Sequence, residues 1–323
     1  MQSVIAGLSP VSYQRHALHD ASRDWPETNC YVDLWIEVLH ARGLEPRAGL
    51  GFSAGIDFEG DQFTFFKFPQ KDLEDLFGAQ VLELSIYDNV EAHICEQISR
   101  GRLAMVEVDA FYLPDTRGIS HGIEHSKTTI GINSLDSESR RLTYFHNAGF
   151  FDLEAEDFDG VFQRSRLPGP GCDNLFPYAE YVKFHDASLE GAALKAAARR
   201  LLEAHVRSAP LRNPVKAFAE RVETHAAQIA ARDPVFFHKY AFNTLRQIGA
   251  SFELLAAHLD WLDVEEFSPS ILASRALSAS AKAFQFQLAR AVARKRPAGL
   301  TALLEPMAEH WESAIGQLRA RLR

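Results

Sequence analysis

The sequence predicts an α+β domain on an antiparallel sheet, followed by an all-α helical bundle, with the boundary near residue 186. Before residue 186, short apolar runs alternate with turn signals; after it, nearly every segment repeats its apolar residues at three- and four-residue steps. Charge changes sign at the same place. Residues 1–186 carry 15 Lys/Arg and 30 Asp/Glu, a net of −15, and residues 187–323 carry 19 and 13, a net of +6, within a whole-chain net of −9. Domains of 1–186 and 187–323 are therefore expected, each long enough for its own core.

In the first domain, Val32, Trp35, Ile36 and Leu39 place a helix over Asn29–His40. The stretch GLGFSAGIDFEGDQFTFFKF, punctuated by Gly49, Gly51, Gly55 and Gly60, reads as strand and turn. Leu103–Asp109 is a short buried strand, and Thr128, Ile130 and Ile132 alternate as a half-buried strand does. Leu142–Phe145 follows after the polar turn Asp136–Arg141. In the second domain, Asn213-Pro214, Asp233-Pro234 and Ser268-Pro269 each set a capping residue before a proline at a helix start. Leu245, Ile248, Phe252, Leu255, Leu259 and Leu262 form a stripe that faces another helix. About five helices in a bundle are expected.

Composition excludes several classes. With 46% hydrophobic residues, 23 Phe, 8 Tyr and 4 Trp, the 323-residue chain is not a disordered one. No apolar run approaches the roughly 20 residues of a spanning helix, so no membrane partner is expected. The opening MQSVIAGLSP lacks the basic-then-apolar pattern of a secretory signal. Cys30, Cys95 and Cys172 match neither a disulfide framework nor a zinc motif. A bacterial-type cytoplasmic protein with reduced thiols is the expectation. No Lys/Arg run interleaves with aromatics, so no nucleic acid is expected either.

Cys30 follows Pro26-Glu27-Thr28-Asn29 where a helix begins, and the positive end of a helix macrodipole favours a thiolate. By position alone the favoured reading is a small core hydrophobe, which is what most lone cysteines are. His125 stands at the mouth of the alternating strand, and His146-Asn147 closes the next one. In the order Cys, His, Asn, an imidazole takes the thiol proton and an amide or carboxylate holds the ring in the useful tautomer. A zinc site from His121, His125, Asp109 and His146 is disfavoured, because His-x-x-x-His pairs belong on a helix face and this stretch is loop running into strand. Arg246, Glu253 and Asp260 read as a solvated ion-pair face, and His16 and His19 as exposed histidines.

The ordered set over residues 28–160 resembles the papain-like cysteine acyltransferases typified by the N-terminal domain of the butirosin-biosynthesis acyltransferase, and their bacteriocin-processing peptidase cousins. The residues that carry the resemblance are Cys30 on the first helix, the Gly-rich stretch Gly49–Phe58, Asp109 with Tyr112-Leu113-Pro114, His125 heading a strand, Asn147 closing the following strand, and Leu153 to Phe158. One departure is Asp24, where papain-like peptidases carry an oxyanion-donating Gln. That role passes to the Cys30 amide, to Asn29 or to a group not evident in the sequence.

The resemblance implies a papain-like domain in which Cys30, His125 and Asn147 are catalytic. His146 or Asp152 is the alternative third residue. Asn29, Asp109, Tyr112, His121 and His146 are assigned to substrate binding. It further implies an acyl or aminoacyl transferase that takes an acyl group from a carrier-protein or coenzyme thioester. The acyl passes through an acyl-enzyme to a small amine or thiol acceptor. No cofactor of its own is expected, the phosphopantetheine thioester belonging to the partner or substrate, and no metal. The alternatives are a cysteine peptidase or amidase, and a non-catalytic binding protein on the same fold. Carrier proteins present acidic helices, so the basic second domain, rich in arginine at Arg199-Arg200, Arg207, Arg212 and Arg290–Arg296, is the expected docking side.

Overall fold

The computed structural model describes residues 2–164 and 176–322, and Cys172 lies outside the described residues. The chain forms two compact units. The first comprises Met1–Ala17, Asn29–Glu45 and Gln70–Ser188; the second comprises Leu18–Thr28, Pro46–Pro69 and Leu189–Arg323. The architecture is α+β: an antiparallel sheet in one unit and a helical C-terminal region in the other. The second unit also takes in Leu18–Thr28 and Pro46–Pro69, two segments that the sequence pattern groups with the sheet.

In the first unit, α1 (Cys30–Ala41), α2 (Gln70–Phe77), α3 (Val90–Ser99) and α4 (Ala155–Val161) accompany six strands: β1 (Ala79–Glu83), β2 (Leu103–Asp109), β3 (Lys127–Asp136), β4 (Arg141–His146), β5 (Gly149–Glu154) and β6 (Ala179–Phe184). The sheet order is β1-β6-β2-β3-β4-β5, and every pairing is antiparallel. One face carries Val106, Val108, Ile130, Ile132, Leu142 and Tyr144, packed with Ile94 and Ile98 of α3 and Phe158 of α4. The opposite face meets α1, whose Leu34 side chain lies 3.5 Å from where a Cβ on Gly131 would stand. Cover on both faces explains why β2 begins as an unbroken apolar run rather than an alternation. The polar turn after β3 is fixed by Asp136, whose Oδ1 accepts from the Glu138 and Ser139 amides at 3.0 and 3.2 Å.

The second unit holds α5 (Gly191–Ser208), α6 (Pro214–Ala219), α7 (Val222–Ala230), α8 (Val235–Ala241), α9 (Gln247–Ala293) and α10 (Glu305–Arg321). Asn213 caps α6 through the amides of Val215 and Lys216, and Asp233 Oδ1 accepts from the Val235 amide at 2.8 Å. The third expected start is displaced. Asp263, with φ −165° and ψ 101°, breaks α9, and its Oδ1 caps the Glu266 amide at 2.9 Å, so Pro269 lies inside the second arm instead of opening it. An aspartate cap satisfies an orphan amide, whereas the proline only lacks one.

The two arms of α9 double back. Arg275 meets Asp260 at 3.2 Å, and Trp25 is wedged between Gly249 on one arm and the Ser278 carbonyl on the other. Glu253 accepts from the Asp24 and Trp25 amides at 3.1 and 2.9 Å and pairs with Arg23. The expected ion-pair face is thus turned onto the chain itself.

The Gly- and Phe-rich stretch is not a strand. Pro46–Gly55 winds as a 3₁₀ helix, and a single bridge joins Phe58 to Phe63. Phe58 and Phe63 pack on Phe218 at 5.5 and 5.4 Å, so this run supplies aromatic core to the helical unit, where side-chain burial and not strand pairing decides its conformation. His19 is also not exposed: it is 1% accessible, and His16 is half-buried. No helix among the described residues is long and apolar enough to cross a membrane.

Candidate functional site

The first turn of α1 is built by its cap. Asn29 Oδ1 accepts from the Tyr31 and Val32 amides at 3.2 and 3.0 Å, and the Asn29 carbonyl accepts from Asp33. The Cys30 amide is left without a hydrogen bond among the described residues, and its thiol is half-buried and free. Asn29 is 1% exposed, with its side-chain oxygen engaged in the cap.

Three contacts fix the course of α1. The Tyr31 hydroxyl donates to Glu180 Oε2 at 2.9 Å at the start of β6, Leu34 covers Gly131 at mid-sheet, and the Arg42 guanidinium lies 3.8 Å from the centre of the Phe184 ring at the end of β6. The helix therefore runs along the sheet with Cys30 toward the end where β2 finishes and β3 begins. That end carries Asp109, Lys127 and the turn between β4 and β5. Gly131 shares its face with Lys127, and Lys127 is paired across the ladder with Asp109, so Asp109 stands on the face that α1 covers.

His125 precedes β3 by two residues and joins this group. Its Nδ1 is 2.5 Å from Asp109 Oδ2, while Asp109 Oδ1 accepts from the Phe111 and Ser126 amides, both at 3.1 Å. Phe111 stacks on the imidazole at 4.3 Å with 13° between the planes. Burial works against the Asp109 carboxylate, yet the hydrogen bonds from His125, Phe111 and Ser126 hold its pKa below the usual aspartate value. The His125 side chain is 67% exposed, and its Nε2 has no partner among the described residues. No hydrogen bond joins His125 to Cys30.

The other assigned residues are spent elsewhere. His146 is 2% exposed on the opposite face, with Nδ1 2.6 Å from Asp115 and Nε2 2.8 Å from the Thr128 hydroxyl; Tyr144 donates to the same Asp115 at 2.5 Å. His121 Nε2 meets the Asp157 carboxylate at 3.1 Å, which ties its loop to α4. Tyr112 lies against Gly160, where an added Cβ would stand 2.0 Å from the ring. Asp152 is exposed and pairs with Arg141 at 3.7 Å. Asn147 sits at φ 44° in the two-residue turn between His146 and Gly149, a conformation that asparagine tolerates, and has no side-chain hydrogen bond among the described residues. Of three His–Asp pairs in this segment, His125–Asp109 has the most exposed imidazole, its side chain 67% exposed against 23% for His121 and 2% for His146. Among the described residues, no group of three or more His, Cys, Asp or Glu is placed to hold a metal ion.

Asp115 and Phe111 belong to these His–Asp contacts although the residue pattern alone does not single them out. The alternation Val106, Val108 against Glu107, Asp109 is the available signal for Asp109, because it sets Asp109 on the face opposite the core. Nothing comparable marks Asp115, whose role depends on a loop returning beneath β4.

Fold and site define an α+β protein with a free thiol at the start of a sheet-covering helix and a His–Asp pair at the same sheet end. The chain belongs to the DUF1839 family: the DUF1839 N-terminal domain matches residues 14–184 and the DUF1839 C-terminal domain matches residues 191–320. No curated protein matches the chain.

Proposed function

We propose that the protein is an acyl or aminoacyl transferase on a papain-like arrangement, with Cys30 as nucleophile and His125 as base. The observation that supports this most is the position of Cys30 at the first turn of α1, toward the sheet end that carries a solvent-facing imidazole. His125 Nε2 removes the Cys30 proton, and the thiolate attacks the carbonyl carbon of a thioester. The tetrahedral oxyanion collapses, the donor carbon–sulfur bond breaks, and the leaving thiolate takes the proton back from the imidazolium. An amine then attacks the acyl-Cys30 carbonyl, loses its proton to His125, and releases Cys30 as its carbon–sulfur bond breaks. The uncommitted Cys30 amide is suited to donate to the oxyanion. Cys95 is a poor competitor: burial pushes its thiol pKa up, and its Sγ is 3.4 Å from Ser137 Oγ.

The donor in this reading is an acylated carrier protein, and the setting a reducing cytoplasm. Arg199 and Arg212 are already paired with Glu266 and Glu220, whereas Arg290, Arg294, Lys295 and Arg296 are exposed and have no carboxylate partner among the described residues. These four supply the docking face. Incubation with an acylated carrier protein and an added amine should yield the amide, whereas release of free acid alone would make the protein a hydrolase. Arg294→Glu with Arg296→Glu should raise KM for the carrier-bound donor and spare a small free thioester. Equal loss with both donors would remove the docking surface from the account.

A further inference from the structure

The third residue of the site is where geometry and sequence order part. Asn147 follows the expected order, but the chain uses it to turn β4 into β5. Asp109 lies on the neighbouring strand end with one carboxylate oxygen pinned by two backbone amides and the other directed at His125 Nδ1. We propose that Asp109 is the positioning residue of His125, fixing the imidazole as the Nδ1–H tautomer with Nε2 open as an acceptor, and that Phe111 sets the plane of the ring by stacking on it. As a statement about catalysis this rests on the acyl-transfer reading; as a statement about the tautomer it does not.

The pieces are mutually constraining. Asp109 is paired with Lys127 across the ladder, the Ala110 amide donates to the Ser126 carbonyl at 2.8 Å, and the Gly122 amide donates to the Phe111 carbonyl at 3.0 Å, so the two chain segments that carry the carboxylate and the imidazole are joined by backbone on either side of the contact. An ionised carboxylate is acceptor-only, so the proton in the 2.5 Å contact belongs to Nδ1. A neutral imidazole then has its lone pair on Nε2, the form a general base needs. A ring this exposed would otherwise turn freely about its side-chain bonds. The carboxylate fixes its rotation and the Phe111 ring its tilt.

Asp109→Asn is the discriminating change. The amide oxygen keeps its two backbone donors, so the loop is retained, while an NH₂ replaces the oxygen that faces the ring. Nδ1 must then accept and the ring proton moves to Nε2, which abolishes the base. Long-range ¹H–¹⁵N correlation of the histidine rings at a pH where they are neutral reads this directly, with His125 identified by the signals lost in His125→Gln. The expected result is an Nδ1–H ring in the wild type and in Asn147→Ala, and an Nε2–H ring in Asp109→Asn. An Nε2–H ring in the wild type, an unchanged ring in Asp109→Asn, or a changed ring in Asn147→Ala overturns the proposal. Alkylation of Cys30 by chloroacetamide near neutral pH separates this from the catalytic reading. It should slow on the order of 10²-fold in Asp109→Asn and in His125→Ala if His125 serves Cys30. A flipped tautomer with unchanged alkylation leaves the positioning role standing and removes His125 from thiol chemistry.

Discussion

The fully buried His258 on α9 makes stability of the second unit depend on pH in a window set by its own environment. Its Nδ1 is 2.7 Å from the Arg47 carbonyl oxygen, and its Nε2 is buried with no hydrogen-bond partner among the described residues, close to Gly51. Burial lowers its pKa to about 4; the Arg47 carbonyl opposes this and His205 reinforces it. The unfolded chain titrates near 6.5, so between pH 6.5 and 4 the unfolded state binds the proton that the folded state refuses. Stability from this group is complete above pH 6.5 and falls away as pH drops toward 4. The loss is about 2 kcal/mol by pH 5 and about 3 kcal/mol by pH 4. Urea unfolding followed by tryptophan fluorescence, with Trp261 close to the imidazole, measures it. The readout is the pH slope of wild type minus that of His258→Leu, in which all other titrating groups cancel. A slope difference near zero between pH 6.5 and 4 would refute the reasoning, whatever the absolute stability of the variant.

Gly249→Ala should lower Tm although alanine favours helix, because its Cβ would stand 2.6 Å from the Trp25 ring; overpacking costs about 1–3 kcal/mol against a helix gain of about 1 kcal/mol. A raised Tm in a thermal melt contradicts the wedge. Tyr144→Phe removes a donor from the buried Asp115 and should cost about 1.5–3 kcal/mol in denaturant, yet leave Cys30 alkylation unchanged, since this network lies on the far face of the sheet. Glu266, held by Arg199 and Arg321, has its pKa lowered to about 2, the Arg199 hydrogen bond being the largest cause. Its contribution should persist above about pH 4.5 and vanish as pH falls toward 2, so the stability deficit of Glu266→Gln relative to wild type should shrink on acidification over that range.

The sequence was most informative where one chain segment decides its own conformation. The periodicities of α1, β2, β3 and β4 are visible because each buries a face at a fixed step, and the Asn213 and Asp233 caps act on amides two or three residues away. The aromatic run at residues 52–68 misleads because its partners are remote. Phe218 draws it into the helical unit, and no local pattern records that distance. The placement of Leu18–Thr28 is hidden for the same reason, resting on Trp25 between Gly249 and Ser278, which lie 29 positions apart on the two arms. At the site, His125 is legible as the head of a strand. Its partner is not, because linear order favours Asn147 whereas the ladder register brings Asp109 across from Lys127. His146 shows the complementary failure: its strand position is plain, but alternation turns it to the core face beside Asp115.

Acyl transfer as proposed passes through a covalent acyl-Cys30 intermediate formed with the help of His125. Intact-protein mass spectrometry after brief incubation with acylated carrier proteins detects that intermediate. The expected result is one acyl adduct on the wild type, mapped to Cys30 and retained in Cys95→Ala and Cys172→Ala, with none on Cys30→Ala and little on His125→Ala. Full turnover of the donor by Cys30→Ala, or an adduct mapped to another residue, would contradict it.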